Sequence, residues 1–402
     1  MRVRVEKRPI LVPGFQFAGV ACGIKPSGKK DVALMLSEVP ATATAAFTTN
    51  KAPGAPVILG RDRMKTGRLQ AIVVNSGIAN VATGQSGLRL ARDTCALVSQ
   101  TLKIDEKLVL PSSTGKIGVL PPWDKLQPGV LAACAALSPR GFWNALAGMM
   151  TTDAFPKAAT RQVVLGGKTV TLAGMAKGAG MISPNMATML CYVFTDARVE
   201  PSALRKILSN TLADSFNAIS VDGDTSTSDT LVLLANGVAE NREVRSTGRD
   251  FQVLQMAVGE ILRELSRLVV KDGEGATRLV DIFVRGARNT AEAEKVARAV
   301  ANSPLVKSAF YGGDPNWGRI VCAVGYSGAR LNLEKLDISI GDVPIGRNGI
   351  STGVAQEKQA AAVMRAPEFS LTIDLHLGRG ESHVVTSDLS LEYVRFNSAY
   401  ST

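Results

Sequence analysis

What most constrains the fold of this chain is its alternation of short apolar runs, each stopped by turn-forming residues, with stretches of helical periodicity. Ala71-Ile72-Val73-Val74 reads as a buried strand closed by the turn Asn75-Ser76-Gly77. Ala91, Cys95, Val98 and Leu102 then recur at the spacing of one helix face. The same spacing predicts a helix through Leu204, Leu208, Leu212 and Phe216, behind the first-turn residue Pro201. Another runs through Leu254, Val258, Ile261, Leu265 and Leu268 and ends near Gly273. Leu231–Leu234, Leu279–Val284 and Ile320–Val324 read as further strands. Leu371, Ile373, Leu375 and Leu377 alternate with Thr372, Asp374 and His376, so that strand is expected to show one face to solvent. A chain of 402 residues with this mixture suffices for two or three packed units of class α/β or α+β, sheets layered with helices.

Scarce residues exclude whole chemistries. Only two histidines exist, so a multi-histidine zinc site is not available and a Ser-His-Asp triad would have to use one of them. His376 reads as structural, on the polar strand face, and His383 as part of a turn after Gly378-Arg379-Gly380. The five cysteines, Cys22, Cys95, Cys134, Cys191 and Cys322, are widely spaced and read as buried small hydrophobes in a reducing compartment. No apolar run approaches the roughly 18 residues of a membrane-spanning helix. Ile10-Leu11-Val12 before Pro13-Gly14 is too short for a signal-peptide core, so a cytoplasmic protein without a membrane partner is expected. The net charge of +11 is spread along the chain and aromatics are only 5%, so no stacking platform for nucleic acid accompanies it and none is expected to bind.

Three motifs fail on inspection. Gly167-Lys168-Thr169 resembles the end of a phosphate-binding loop, but Gln162 holds the place of its first glycine. Asp222-Gly223-Asp224-Thr225-Ser226 resembles the opening of a calcium loop, yet Thr227 and Leu233 stand where glycine and glutamate are required. Asp222, Asp224 and Asp229 therefore read as capping residues of a hydrogen-bonded turn, with a divalent-ion site as the alternative. No serine nucleophile elbow of the G-x-S-x-G type is present in a suitable context, and no metal is expected.

The stretch that carries chemistry is Lys177-Gly178-Ala179-Gly180-Met181-Ile182-Ser183-Pro184-Asn185-Met186-Ala187-Thr188-Met189-Leu190. Glycines and a proline make an irregular loop, and Thr188 stands where an apolar strand through Phe194 begins. If the peptide bond before it were cut, Thr188 would carry both a nucleophilic hydroxyl and a free α-amine. That amine titrates at about 7.7–8.0 in model compounds, so it can act as general base without a histidine. An ordinary loop-to-strand junction is the plainer alternative.

This stretch closely resembles the self-cleaving motif of the ornithine acetyltransferase/glutamate N-acetyltransferase family of arginine biosynthesis. The likeness continues through Phe47-Thr48-Thr49-Asn50, Asn75-Ser76-Gly77, Ser113-Thr114-Gly115, Thr151-Thr152-Asp153, Val221-Asp222-Gly223-Asp224-Thr225-Ser226, Asp272-Gly273-Glu274-Gly275-Ala276-Thr277, Asp314-Pro315-Asn316-Trp317-Gly318-Arg319 and Tyr393-Val394-Arg395. The resemblance implies a four-layer α-β-β-α sandwich with a second, smaller α/β part, built from two intertwined chains. Cleavage at Ala187–Thr188 would give an α chain of residues 1–187 and a β chain of residues 188–402, assembled as an α2β2 heterotetramer.

It further implies that Thr188 takes an acetyl group from N2-acetyl-L-ornithine and passes it to L-glutamate in a ping-pong reaction, with no resident cofactor. Some relatives also use acetyl-CoA as donor, and nothing in this sequence decides that point. Thr114 and Gly115 correspond to the family's oxyanion hole. Thr152, Lys177, Thr188, Glu274, Asn397 and Thr402 correspond to its substrate contacts, Lys177 meeting a carboxylate and Glu274 the side-chain amine of ornithine. Thr151 leaves a one-residue ambiguity beside Thr152. Without the resemblance, Ser113-Thr114-Gly115 reads as a plain turn and Lys177 as a solvated loop lysine. Ile78 departs from the family, which commonly has asparagine there. The competing enzyme is an N-terminal-nucleophile hydrolase or aminopeptidase on the same sandwich, with water as acceptor.

Overall fold

The computed structural model describes residues 8–183 and 189–399. Its first part comprises β1 (Phe15–Val20), β2 (Val32–Phe47), α1 (Ala55–Arg63), β3 (Arg68–Ile78), α2 (Gly84–Leu102), β4 (Val109–Lys116), α3 (Trp123–Ala135), α4 (Phe142–Met149), β5 (Lys157–Leu165) and β6 (Lys168–Lys177). It continues with β7 (Leu190–Thr195), α5 (Pro201–Leu212), β8 (Ile219–Ser220), β9 (Thr230–Ala235) and α6 (Arg249–Lys271). Among the described residues these strands, β8 excepted, form one sheet ordered β4-β3-β2-β9-β7-β6-β5, with β1 paired to β2.

The long strand β2 makes two layers out of that one sheet. Its first half pairs β1 and β3, its second half pairs β9, and the register breaks between Leu36 and Ala41, where Pro40 interrupts the ladder. The sheet therefore folds over on itself. Phe15 and Phe17, with Ile72 and Val74, share one core with Met175, Tyr192, Phe194 and Val232. The Phe194 ring meets Phe15 and Phe17 edge-on, at 5.3 and 5.1 Å between centroids. Alternate residues point outward, as the pleat requires. Val32, Leu34, Ala71 and Val73 pack on α2 and α3, whereas Leu172, Cys191, Val193, Leu231 and Leu233 pack on α5 and α6. The expected α-β-β-α sandwich results.

The smaller α/β part follows: β10 (Leu279–Ala287), α7 (Thr290–Ala301), α8 (Pro304–Gly312), α9 (Trp317–Gly325), β11 (Asp337–Ile340), β12 (Val343–Arg347), β13 (Ile350–Ser351), α10 (Val354–Val363), β14 (Glu368–Asp374), β15 (Gly380–Ser387) and α11 (Leu391–Ala399). Its sheet runs β13-β12-β11-β14-β10-β15-β8, so β8 links it to the sandwich. One face is buried against α7 to α10.

Several local expectations need correction. Asn75-Ser76-Gly77 and Ser113-Thr114-Gly115 are not turns; β3 and β4 run through them in parallel, Ser76 opposite Thr114 and Gly77 opposite Gly115. Ile320–Val324 lies in helix α9, capped by the Asn316 side chain accepting the Arg319 N–H at 3.1 Å. Its run is too short for periodicity to separate strand from helix. Strand β14 stops at Asp374, and His376 lies beyond it at a left-handed φ of 49°. His383 is in β15 rather than a turn, stacked on Phe283 and 2.8 Å from Asp281. Cys95, Cys134 and Cys191 are buried, but Cys22 is half-buried and Cys322 is exposed on α9.

Candidate active site

The ends of β4 and β6, the loops after α4 and α6, and helix α11 surround a cavity of about 200 Å³, small among ligand sites. Its walls include Thr114, Gly115, Thr151, Thr152, Lys177, Glu274 and Asn397. The structure thus brings together the expected residues that it describes, although they are spread over most of the sequence. Ala187, Thr188 and Thr402 lie outside the described residues.

At the β4 end the backbone itself is shaped. Gly115 has φ of 126°, and a Cβ added there would sit 2.3 Å from the carbonyl carbon of Gly77. Only glycine fits so close a pairing. Ser113 donates its hydroxyl to Asn75 Oδ1 at 2.5 Å, and the Asn75 amide donates to the Ile78 carbonyl at 2.7 Å. The side chain of Ile78 packs against the outer helical core, which gives this departure a structural role away from the cavity.

Lys177 is the last residue of β6, not a solvated loop residue. Its Nζ is buried and donates to Thr114 Oγ1 at 3.0 Å. Burial lowers its pKa, with Asp153 acting in the opposite direction. Behind it lies a buried network that no local motif signals. Lys157 Nζ lies 2.6 Å from Asp153 Oδ1 and 2.5 Å from Asp272 Oδ2. Asp153 also accepts the N–H of Gly178 at 2.7 Å and of Thr151 at 2.8 Å, and Asp272 accepts that of Ala154 at 3.0 Å. Burial would raise Asp153, but Lys157 and Lys177 outweigh it and hold the carboxyl well below its usual range. Burial pushes Asp272 up to about 6 despite Lys157. One buried lysine thus ties together the Thr151–Thr152 wall, the Lys177-Gly178 wall and the root of the Glu274 loop.

Glu274 contributes a carboxylate to the lining. Its N–H donates to the Ala179 carbonyl at 2.8 Å, and Asn397 Nδ2 donates to its Oε2 at 3.1 Å. A Cβ on Gly180 would lie 2.4 Å from this carboxylate, so the glycine makes room for it. The lining therefore holds both a lysine and a carboxylate. Lys25, whose Nζ donates to the Lys30 and Met150 carbonyls at 2.6 Å, was invisible to motif reasoning; burial lowers it to about 8. Asp222 and Tyr393 also line the cavity; both belong to motifs noticed in the sequence but given no contact role. Asp222 spends its oxygens on backbone amides, which matches the turn reading rather than an ion site. Among the described residues no cluster of His, Cys, Asp and Glu is arranged to hold a metal.

A folded-over sandwich with a small, two-signed, hydroxyl-lined cavity at the ends of its central strands defines an enzyme for small charged substrates. The chain belongs to the ArgJ family, whose sequence profile matches residues 16–402. It is 46% identical over 391 residues to the arginine biosynthesis bifunctional protein ArgJ of Geobacter sulfurreducens, covering 97% of this chain and 100% of that one. The protein of the same name from Symbiobacterium thermophilum is also 46% identical, covering 97% of each chain. A crystal structure of the Bacillus halodurans bifunctional protein, 40% identical, covers 51% of this chain and 96% of its own with a TM-score of 0.49. The family match favours acetyl transfer over the hydrolase alternative.

Proposed function

We propose that this chain cleaves itself between Ala187 and Thr188 and then moves acetyl from N2-acetyl-L-ornithine to L-glutamate through an acetyl-Thr188 intermediate. The observation that carries this reading is the composition of the cavity. Thr114, Gly115, Thr152 and Lys177 precede the scissile bond, Glu274 and Asn397 follow it, and a lysine and a carboxylate both line the cavity.

In maturation, the Thr188 hydroxyl attacks the Ala187 carbonyl carbon, the peptide nitrogen leaves as the α-amine, and water hydrolyses the resulting ester. In turnover, that amine takes the hydroxyl proton as the oxygen attacks the acetyl carbonyl. The oxyanion is met by donors at Thr114 and Gly115, where fixed dipoles act without reorganising. Ornithine leaves as the amine, protonated by the same group, and the amine of glutamate then attacks the acetyl-enzyme. Lys177 is assigned to a substrate carboxylate and Glu274 to the ammonium end of the ornithine side chain, with Thr152, Asn397 and Thr402 completing the contacts. The reading needs no resident cofactor and takes acetyl-CoA as a second donor. It places the α and β chains in a cytoplasmic α2β2 assembly. Among the described residues no helix is long and apolar enough to cross a membrane.

The test is label transfer from N-acetylornithine. The reading expects labelled acetyl on glutamate, ornithine released before glutamate is added, and loss of both cleavage and transfer in Thr188→Ala. Label recovered only as free acetate would contradict it. Formation of N-acetylglutamate from acetyl-CoA and glutamate tests the second donor, and its absence from active enzyme would remove that part.

A further inference from the structure

The loop between β8 and β9 supplied a family-like motif, Val221 to Ser226, that acetyl transfer leaves without a role. This loop holds the chain on both sides of residues 184–188. Upstream, Asp222 Oδ2 accepts the Met181 N–H at 2.6 Å and Oδ1 accepts the Ile182 N–H at 2.8 Å. The Ile182 carbonyl in turn accepts the Val221 N–H at 2.8 Å. Met181 has φ of 58°, an unfavourable conformation for a residue with a side chain, so these contacts fix a strained stretch.

Downstream, Asp229 Oδ1 accepts the Met189 N–H at 2.9 Å, and the Met189 carbonyl accepts the Thr230 N–H at 3.1 Å. That Met189 nitrogen is the atom bonded to the carbonyl carbon of Thr188. The loop is itself anchored to the end of β2. Thr48 donates its N–H to the Asp229 carbonyl at 3.1 Å and its hydroxyl to the Ser226 carbonyl at 2.5 Å. Asn50 donates to the Thr225 carbonyl at 2.8 Å. Asp229 is fully buried, and its Oδ2 has no hydrogen-bond partner among the described residues.

We propose that Asp222 and Asp229 are positioning residues for self-cleavage: one anchored loop grips the backbone before and after the scissile segment and fixes the separation of its two ends. This rests on the cleavage at Ala187–Thr188 proposed above. The two grips differ in chemistry. Asp222 uses both oxygens as acceptors, whereas Asp229 uses one. Burial raises the pKa of Asp229, and the single contact that its Oδ1 makes is one that the carbonyl of asparagine can reproduce.

The test follows newly synthesised full-length precursor by gel and intact mass, timing the appearance of a chain beginning at Thr188, with thermal melts to verify folding. Asp229→Ala and Asp222→Asn are expected to slow cleavage by about tenfold or more, since each loses a hydrogen bond that holds one flank. Asp229→Asn is expected to stay within about threefold of wild type, because its carbonyl keeps the Met189 contact. Should Asp229→Ala fail to fold, the contrast between the isosteric Asp222→Asn and Asp229→Asn decides. Wild-type cleavage in folded Asp229→Ala, or equal rates in the two asparagine variants, overturns the proposal. A wild-type chain that is never cut would instead sink the cleavage reading on which it rests.

Discussion

Gly115 shows how much a single position can demand. Its positive φ, and the 2.3 Å that would separate an added Cβ from the Gly77 carbonyl carbon, mean that Gly115→Ala must part β3 from β4 or twist the backbone. A loss of roughly 2–4 kcal/mol in unfolding free energy is expected, read from denaturant melts. Glu274 makes a chemical demand instead. Glu274→Gln keeps shape and a partner for Asn397 but removes the anion, so KM for N-acetylornithine is expected to rise by about tenfold or more with a smaller effect on KM for glutamate. Equal changes for the two substrates would remove its assignment to the ornithine ammonium. At this scale the sequence was legible where residues sat in motifs: Thr114, Gly115, Thr152, Lys177, Glu274 and Asn397 all meet at one cavity. Lys157 was not, because a buried lysine that reaches Asp272 across 115 positions leaves no local pattern to read.

Elements were legible in proportion to their length and periodicity. Helices α2 and α6 stand where their apolar stripes place them, and α5 does as far as Leu212, Phe216 lying in a separate 3-10 turn, whereas the short run in α9 is helix rather than strand and β3 continues through the expected turn. The fold-over through β2 was hidden because a broken register is a property of pairing, not of one strand's composition. Packing between elements also leaves a titration to measure. Lys307 of α8 is buried and donates to Thr386 Oγ1 at 3.0 Å and to the Ser387 carbonyl in β15. Burial lowers its pKa from 10.5 to about 8, against the pull of Asp388. Between those pH values the unfolded chain binds more protons than the folded one, so this group makes stability rise with pH. Lys307→Met is expected to flatten the rise in melting temperature between pH 8 and 10; an unchanged slope would mean that Lys307 stays charged in the fold.

At the scale of the whole molecule, the order β4-β3-β2-β9-β7-β6-β5 carries a consequence for a chain cut before Thr188. Strands β9 and β7 would belong to the C-terminal product, yet they lie between β2 and β6 of the N-terminal one. The two products would share one sheet and one core, so they are expected to co-migrate on gel filtration and to separate only in denaturant. Products that part in native buffer would contradict the interleaving. In the proposed reaction the acting nucleophile is a chain terminus made by the protein itself. Intact mass of fully active enzyme, before and after mixing with N-acetylornithine alone, is the decisive check. Two chains are expected, one beginning at Thr188 and gaining a single acetyl group; full activity in an uncut chain, or acetyl carried elsewhere, would rule this out.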